Sequence, residues 1–222
     1  MQQRGEEEFY GTGYLVCGMS HLLIEWNCLE EAQQMIAESL RLNEMAEVPH
    51  LLIDSYNAQA RLLIAQRNLD AAQAALQQAA SLIQKYYCWP EVIGMNESYQ
   101  VRLWLAKGDL TSATRWAKGR QLAGSEPSGF TQEWGEIARA RVLIAQGSLS
   151  EATSLLDRLA RSAEARGRNG RLIEILVLQA MALQAQNKAA HALALLEKAL
   201  RLAEPEGYVR VFVDEGAPMA HL

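Results

Sequence analysis

Cysteine, proline and aromatic residues are all scarce in this chain of 222 residues, and each scarcity excludes something. The three cysteines, Cys17, Cys28 and Cys88, are odd in number and include no C-x-x-C pair. Each lies in or beside an apolar helical pattern, so they read as reduced thiols of a cytosolic protein, with neither a disulfide framework nor a metal site expected. Five prolines and an aromatic content of 7% suit helices better than strands. No apolar run approaches the roughly 20 residues that span a bilayer, and the opening MQQRGEEEF has no signal-peptide core. A soluble, cytoplasmic chain without membrane association is expected. Basic charge is short as well. A net charge of −5 does not provide the concentrated positive surface that a nucleic-acid backbone demands, so direct contact with nucleic acid is not expected of this chain.

Catalytic patterns are missing too. His21, His50, His191 and His221 are dispersed along the sequence, with no H-E-x-x-H, no G-x-S-x-G and no glycine-rich phosphate loop. The acidic groups at Glu6 to Glu8 and at Glu30 and Glu31 read as helix-surface charge, since nothing adjacent would push their pKa values apart into an acid and a base. The chain is expected not to be an enzyme, and no catalytic or metal-ligating residue is assigned.

What is present is repetition. Val142 to Ala152 reads VLIAQGSLSEA; Leu22 to Ala32 reads LLIEWNCLEEA, Leu62 to Ala72 LLIAQRNLDAA, Leu103 to Ala113 LWLAKGDLTSA and Ala182 to Ala192 ALQAQNKAAHA. The closing residues Ala32, Ala72, Ala113, Ala152 and Ala192 are 40, 41, 39 and 40 residues apart. A fixed period of this length denotes a repeat array. In each copy an apolar triplet ends one helix, a polar or glycine pair breaks it, and the next helix opens; the alanine allows the two helices to cross closely. Each hairpin alone would leave an apolar face in water, so each is stabilised by its neighbour. The expected fold is all-α: a right-handed superhelix, or solenoid, of about five antiparallel helix hairpins, tetratricopeptide-like but with a longer period.

The expected hairpins occupy about 6–43, 50–86, 90–123, 130–166 and 171–203, in a single domain over 1–222. Pro49 and Pro90 are placed to open helices. On the first helix Tyr10, Tyr14, Leu15, Met19, Leu22 and Leu23 are expected to face its neighbours, and Leu63, Trp104, Leu143 and Leu183 to be buried in a common register. Ser148 or Ser150 is expected to cap a helix, and Asn187 and Ala189 to loosen the fifth turn. After Pro205, GYVRVFV reads as extended chain, and 204–222 as a truncated connection, which suggests an excised domain.

One row survives as a binding candidate. Counting four residues back from the alanine before each turn gives Arg61, Arg102 and Arg141 in three consecutive repeats. These, with Asn57, Tyr99 and Trp134, are expected on the concave face, flanked by Asp54, Ser98 and Ile137, and by Cys17 and His21 from the first repeat. Stacked arginines beside aromatic rings can hold a carboxylate, a phosphate or a sugar face. The alternative is a structural ladder in which the arginines pair with Asp54, Glu97 and Glu136 of adjacent repeats, and the sequence leaves both open.

The run ARVLIAQGSLSEA from Ala140 and the segment ALALLEKALRLAEPEGYVRVFVDEGAPMAHL from Ala192 resemble the end of the superhelical repeat domain of MalT-like, LuxR-type transcriptional regulators. Glu204 to Met219 carries the most specific part, and weaker similarity extends back to about Tyr10. The resemblance implies an ATP-binding domain before this region and a helix-turn-helix DNA-binding domain after it, neither present here, so no cofactor is expected on this chain itself. It further implies a sensing and interaction role, receiving a small-molecule inducer or a regulatory protein, with possible self-association. The alternative is a free-standing helical-repeat scaffold that docks other proteins.

Overall fold

The structure is a computed structural model that describes residues 2–122 and 133–222. The loop GSEPSG and the expected helix start at Phe130 lie outside the described residues. The helices are α1 (Gln2–Glu25), α2 (Leu29–Met45), α3 (Pro49–Ala65), α4 (Leu69–Lys85), α5 (Pro90–Lys107), α6 (Leu110–Leu122), α7 (Glu133–Ala145), α8 (Leu149–Ala165), α9 (Asn169–Ala185) and α10 (Ala189–Ala203). A 3₁₀ turn (Glu204–Glu206), α11 (Arg210–Val213) and α12 (Ala217–Ala220) complete the chain. The architecture is all-helical, with no strand among the described residues. Contacts divide the chain into two compact units at Gly108. In the first, α1 packs on α2, α3 on α4, and α5 on both α3 and α4; in the second, α6 packs on α7, α7 on α8, and α9 on α8 and α10.

The repeated turn has one backbone solution. Asn27, Arg67, Gly108, Gly147 and Asn187, each five residues before a closing alanine, have φ of 62, 61, 74, 75 and 61°. This is the left-handed cap that ends many helices. In the turns at Asn27, Arg67, Gly147 and Asn187 the amides of that residue and of the one after it reach back into the preceding helix; Arg67 N donates to the Ile64 carbonyl at 3.0 Å and Asn68 N to that of Leu63 at 2.9 Å. The last of these, at Asn187, closes with Asn187 N on Gln184 O and Lys188 N on Leu183 O, both at 2.9 Å. Arginine is strained in this conformation where glycine is not. Arg67→Gly is therefore expected to raise stability by up to about 1 kcal/mol, read as a higher urea midpoint at unchanged slope.

All five closing alanines are fully buried. The register of the large side chains differs by one residue from expectation. Leu62, Leu103, Val142 and Ala182 are the buried set, whereas Leu63, Trp104 and Leu183 are only half-buried, and Leu143 is buried alongside Val142. One residue turns a helix by about 100°, and the close crossing at the alanines sets which side faces inward.

The first helix also departs from expectation. Its packed face is Gly13, Cys17, Ser20 and Ile24, while Leu15, Met19, Leu22 and Trp26 form an exposed stripe with the same four-three-four spacing. Tyr14 is exposed too, and Leu23 is half-buried against the cluster of Ile24, Ile36, Ala58 and Leu62. At Gly13 the approach of α2 leaves room for no side chain: a carbon added there would lie 2.1 Å from Asn43 Oδ1.

The terminal run is not extended. Arg210–Val213 is a short helix, with Val213 N on the Val209 carbonyl at 3.3 Å and Asp214 N on that of Arg210 at 2.9 Å. An alternating β-branched stretch needs a partner strand to satisfy its backbone, and none is present among the described residues. Instead Val211 is buried, and Phe212 and Tyr208 pack with it against Ile173 and Ala203. Pro218 opens α12, as proline does at a helix start. Ser148 stands at the N-cap of α8, yet its hydroxyl makes no capping bond; in α4 Asn68 does accept from Ala71 N, at 3.4 Å.

Candidate functional site

The first helices of the repeats bring polar side chains to their packed faces, and each unit gathers its own set. In the first unit Arg61 pairs with Glu25 of α1, and its Nη1 donates to the His21 carbonyl at 3.2 Å. Asn57 is fully buried, its Oδ1 accepting from Asn96 Nδ2 at 2.9 Å across α3 and α5. Tyr99 is buried and Arg102 half-buried on α5. Asp54, suggested as an arginine partner, faces α1: His21 Nε2 lies 3.1 Å from its Oδ1, and Cys17 Sγ donates to its Oδ2 at 3.4 Å.

Behind Cys17 is a wholly buried hydroxyl and amide cluster. Ser39 Oγ and Ser55 Oγ are 2.6 Å apart, and Asn43 Nδ2 donates to Ser55 Oγ at 3.0 Å. Burial and then the Asp54 carboxylate push the Cys17 thiol up to about 12, against hydrogen bonds from Ser55 and Ser39 that lower it. A thiol so raised stays protonated near neutrality and is no nucleophile. For Asp54, burial acts to raise the pKa, but the hydrogen bond and charge of His21, the Cys17 hydrogen bond and the charge of His50 outweigh it and hold the carboxyl below its usual range. Cys17, His21 and Asp54 each offer one donor atom, all within 4.8 Å of one another. Their signal in the sequence is a four-residue spacing, Cys17 to His21, which places two ligand types on one helix face.

In the second unit Arg141 is almost completely enclosed. Its Nη1 donates to both oxygens of Glu215, at 2.5 and 2.6 Å, and its Nη2 to Glu174 Oε1 at 3.0 Å. Glu174 also accepts from Arg171 Nη1 at 3.0 Å, and Arg168 Nη2 reaches Glu133 Oε1 at 2.7 Å. The Arg171 guanidinium lies 3.4 Å from the centre of the half-buried Trp134 ring, a cation–π stack. Glu136 pairs with Arg139 at 3.4 Å, and Ile137 belongs to the apolar core. The terminal run thus acts as a clamp: Glu215 holds Arg141, Arg210 pairs with Asp214, and Tyr208 Oη fills the space beside Gly170.

Arg61 and Arg141 each bond a carboxylate of an adjacent repeat, as a ladder does, though through Glu25, Glu174 and Glu215. Glu215 was out of reach of sequence reasoning, because it comes from a segment outside the period and 74 residues away. Among the described residues no helix is long and apolar enough to cross a membrane.

Helix hairpins of constant period, capped by one left-handed turn and closed on buried alanines, define a tetratricopeptide-like repeat protein. The chain belongs to the family described as the MalT-like TPR region, which matches residues 1–222. It is 27% identical over 202 residues to the HTH-type transcriptional regulator MalT of Serratia proteamaculans (strain 568), covering 90% of this chain and 22% of that protein. The regulator of the same name from Klebsiella pneumoniae (strain 342) is 28% identical over 207 residues, with the same shares covered. That of Vibrio cholerae serotype O1 is 27% identical over 203 residues, covering 89% of this chain and 22% of the relative. The chain therefore spans about a fifth of the length of the regulators it matches.

Proposed function

We propose that this chain is the signal-receiving and interaction region of a cytoplasmic helix-turn-helix transcriptional regulator, and that it responds to a small-molecule inducer or a regulatory protein. The observation that carries this reading is the family match along the whole chain, together with relatives named as transcriptional regulators. On this reading DNA contact and ATP binding belong to other parts of the regulator. The net charge of −5 suits a region that leaves nucleic acid to a neighbour. The region acts by binding and not by catalysis, and the five repeats form one sensing domain that can also self-associate.

Of the six candidate residues, Arg61, Arg102 and Trp134 are half-buried; Arg61 is held by Glu25 and the His21 carbonyl, and we assign ligand contact to Arg102 and Trp134, each within its own unit. Arg61, Arg141, Asn57 and Tyr99 support the surface from beneath. Thermal-shift screening of the purified chain against sugars, phosphorylated metabolites, amino acids and aromatic acids tests the reading. A ligand specific for the folded state raises the melting temperature by an amount set by its concentration over Kd. The expected result is a dose-dependent rise with one chemical class, abolished by Arg102→Ala, while the unliganded melting temperature of that variant stays close to the parent's. A large loss of stability in Arg102→Ala would instead assign this arginine to the ladder.

A second reading, a scaffold that docks other proteins, is favoured by the exposed stripe of Leu15, Met19, Leu22 and Trp26 on α1. A chain unresponsive to every small-molecule class would move the assignment to that reading.

A further inference from the structure

We propose that Cys17 and His21 of α1 and Asp54 of α3 form a binding site for one divalent cation of the zinc class, pinning the first hairpin to the second. The site is independent of the sensing role proposed above.

Three observations support it. The first is spacing. Metal–donor distances of about 2.0–2.3 Å at tetrahedral angles put neighbouring donor atoms about 3.3–3.7 Å apart. Cys17 Sγ lies 3.4 Å from Asp54 Oδ2 and His21 Nε2 lies 3.1 Å from Asp54 Oδ1, and one donor atom from each of the three residues falls within 4.8 Å of the others, so closing on an ion takes rotation of these side chains without movement of the helices. The second is donor chemistry. One sulfur, one imidazole nitrogen and one carboxylate oxygen suit zinc or cobalt, and do not suit magnesium or calcium, which take oxygen donors. A thiolate and a carboxylate together balance a charge of two in a half-buried setting, and three protein ligands leave a fourth position for water.

The third is the surrounding shell. Ser55 Oγ lies 3.8 Å from Cys17 Sγ, its one proton shared between that sulfur and the Leu51 carbonyl at 2.8 Å, and it is held in place by Ser39 and Asn43. Ligands of metal sites are commonly oriented by such hydrogen bonds from behind. On binding, the metal–sulfur bond replaces the S–H bond, and the proton leaves to solvent.

The experiment is a cobalt(II) titration of the purified 222-residue chain after chelator treatment. One equivalent is expected to saturate both the visible bands of tetrahedral cobalt and a thiolate-to-cobalt charge-transfer band, and zinc should displace it. The double variant Cys28→Ser, Cys88→Ser leaves the site untouched and Cys17 as its one thiol, and should retain both signals. Asp54→Asn should weaken binding by at least about tenfold, and Ser55→Ala, which removes a group behind the ligand, by about tenfold. Absence of the charge-transfer band at one equivalent in the parent chain, or its loss in the double variant, would overturn the proposal. The three residues would then be a hydrogen-bonded polar cluster only. Because the double variant leaves every proposed ligand in place, the result does not hinge on whether Cys17→Ser folds.

Discussion

Replacing Arg141 by alanine is expected to cost about 3–5 kcal/mol of folding stability, the range for breaking a buried ion pair from one side. The guanidinium is enclosed, at 6% side-chain exposure, and so are its partners Glu174 and Glu215, at 9% and 7%. Both carboxylates would lose this cation, and Glu215 would be left with its desolvation largely uncompensated. Glu174 keeps Arg171 at 3.0 Å, so the greater part of the loss falls on Glu215 and on the terminal clamp that it anchors. The measurement is urea unfolding of the parent and of Arg141→Ala. Adding Glu215→Gln to Arg141→Ala should recover part of the loss, because the orphaned charge is removed, and the non-additivity of the two changes measures their coupling. Equal stability of parent and Arg141→Ala would show that this arginine is no structural tie and would return it to the candidate contact surface.

The second large effect is expected at Leu62. Leu62→Ala should cost about 3–5 kcal/mol and Leu63→Ala about 1 kcal/mol, though the two residues are adjacent and chemically identical. Leu62 is 2% exposed and packs with Ile24, Ala32, Ile36 and Ala58, so its removal opens a cavity where α1, α2 and α3 meet. Leu63 is half-buried, and truncating it leaves less surface without partners. Comparing the two urea midpoints tests the buried register directly: similar losses, or a larger one at Leu63, would mean that the helix is turned by about one residue from the orientation described.

Helix boundaries came within a few residues because the alanine, the left-handed cap residue and the prolines are local signals, each acting through its own backbone or its nearest turn. The face of α1 differs from expectation because hydrophobicity alone selects Leu15, Met19 and Leu22, whereas α2 comes so close at Gly13 that the packed side is the one through Gly13, Cys17, Ser20 and Ile24. The run GYVRVFV was misjudged because alternation suggests a strand, and only a tertiary neighbour can supply or deny the ladder a strand requires. Arg61, Arg102 and Arg141 lie on α3, α5 and α7, but the acids that hold Arg61 and Arg141 are not those expected: Glu25 lies off the arginine register, and Glu215 lies beyond the last repeat.

Residue order alone sets the class of protein, since a period of about 40 residues is written in residue types that end helices, begin them and let them cross. It also determined the family, through motifs continuous along the chain. Packing in three dimensions settles which of two helix faces is buried, which acids hold Arg61 and Arg141, and that Cys17, His21 and Asp54 meet. Those outcomes depend on close approach and on charges brought together from distant positions, and neither is encoded in any one segment.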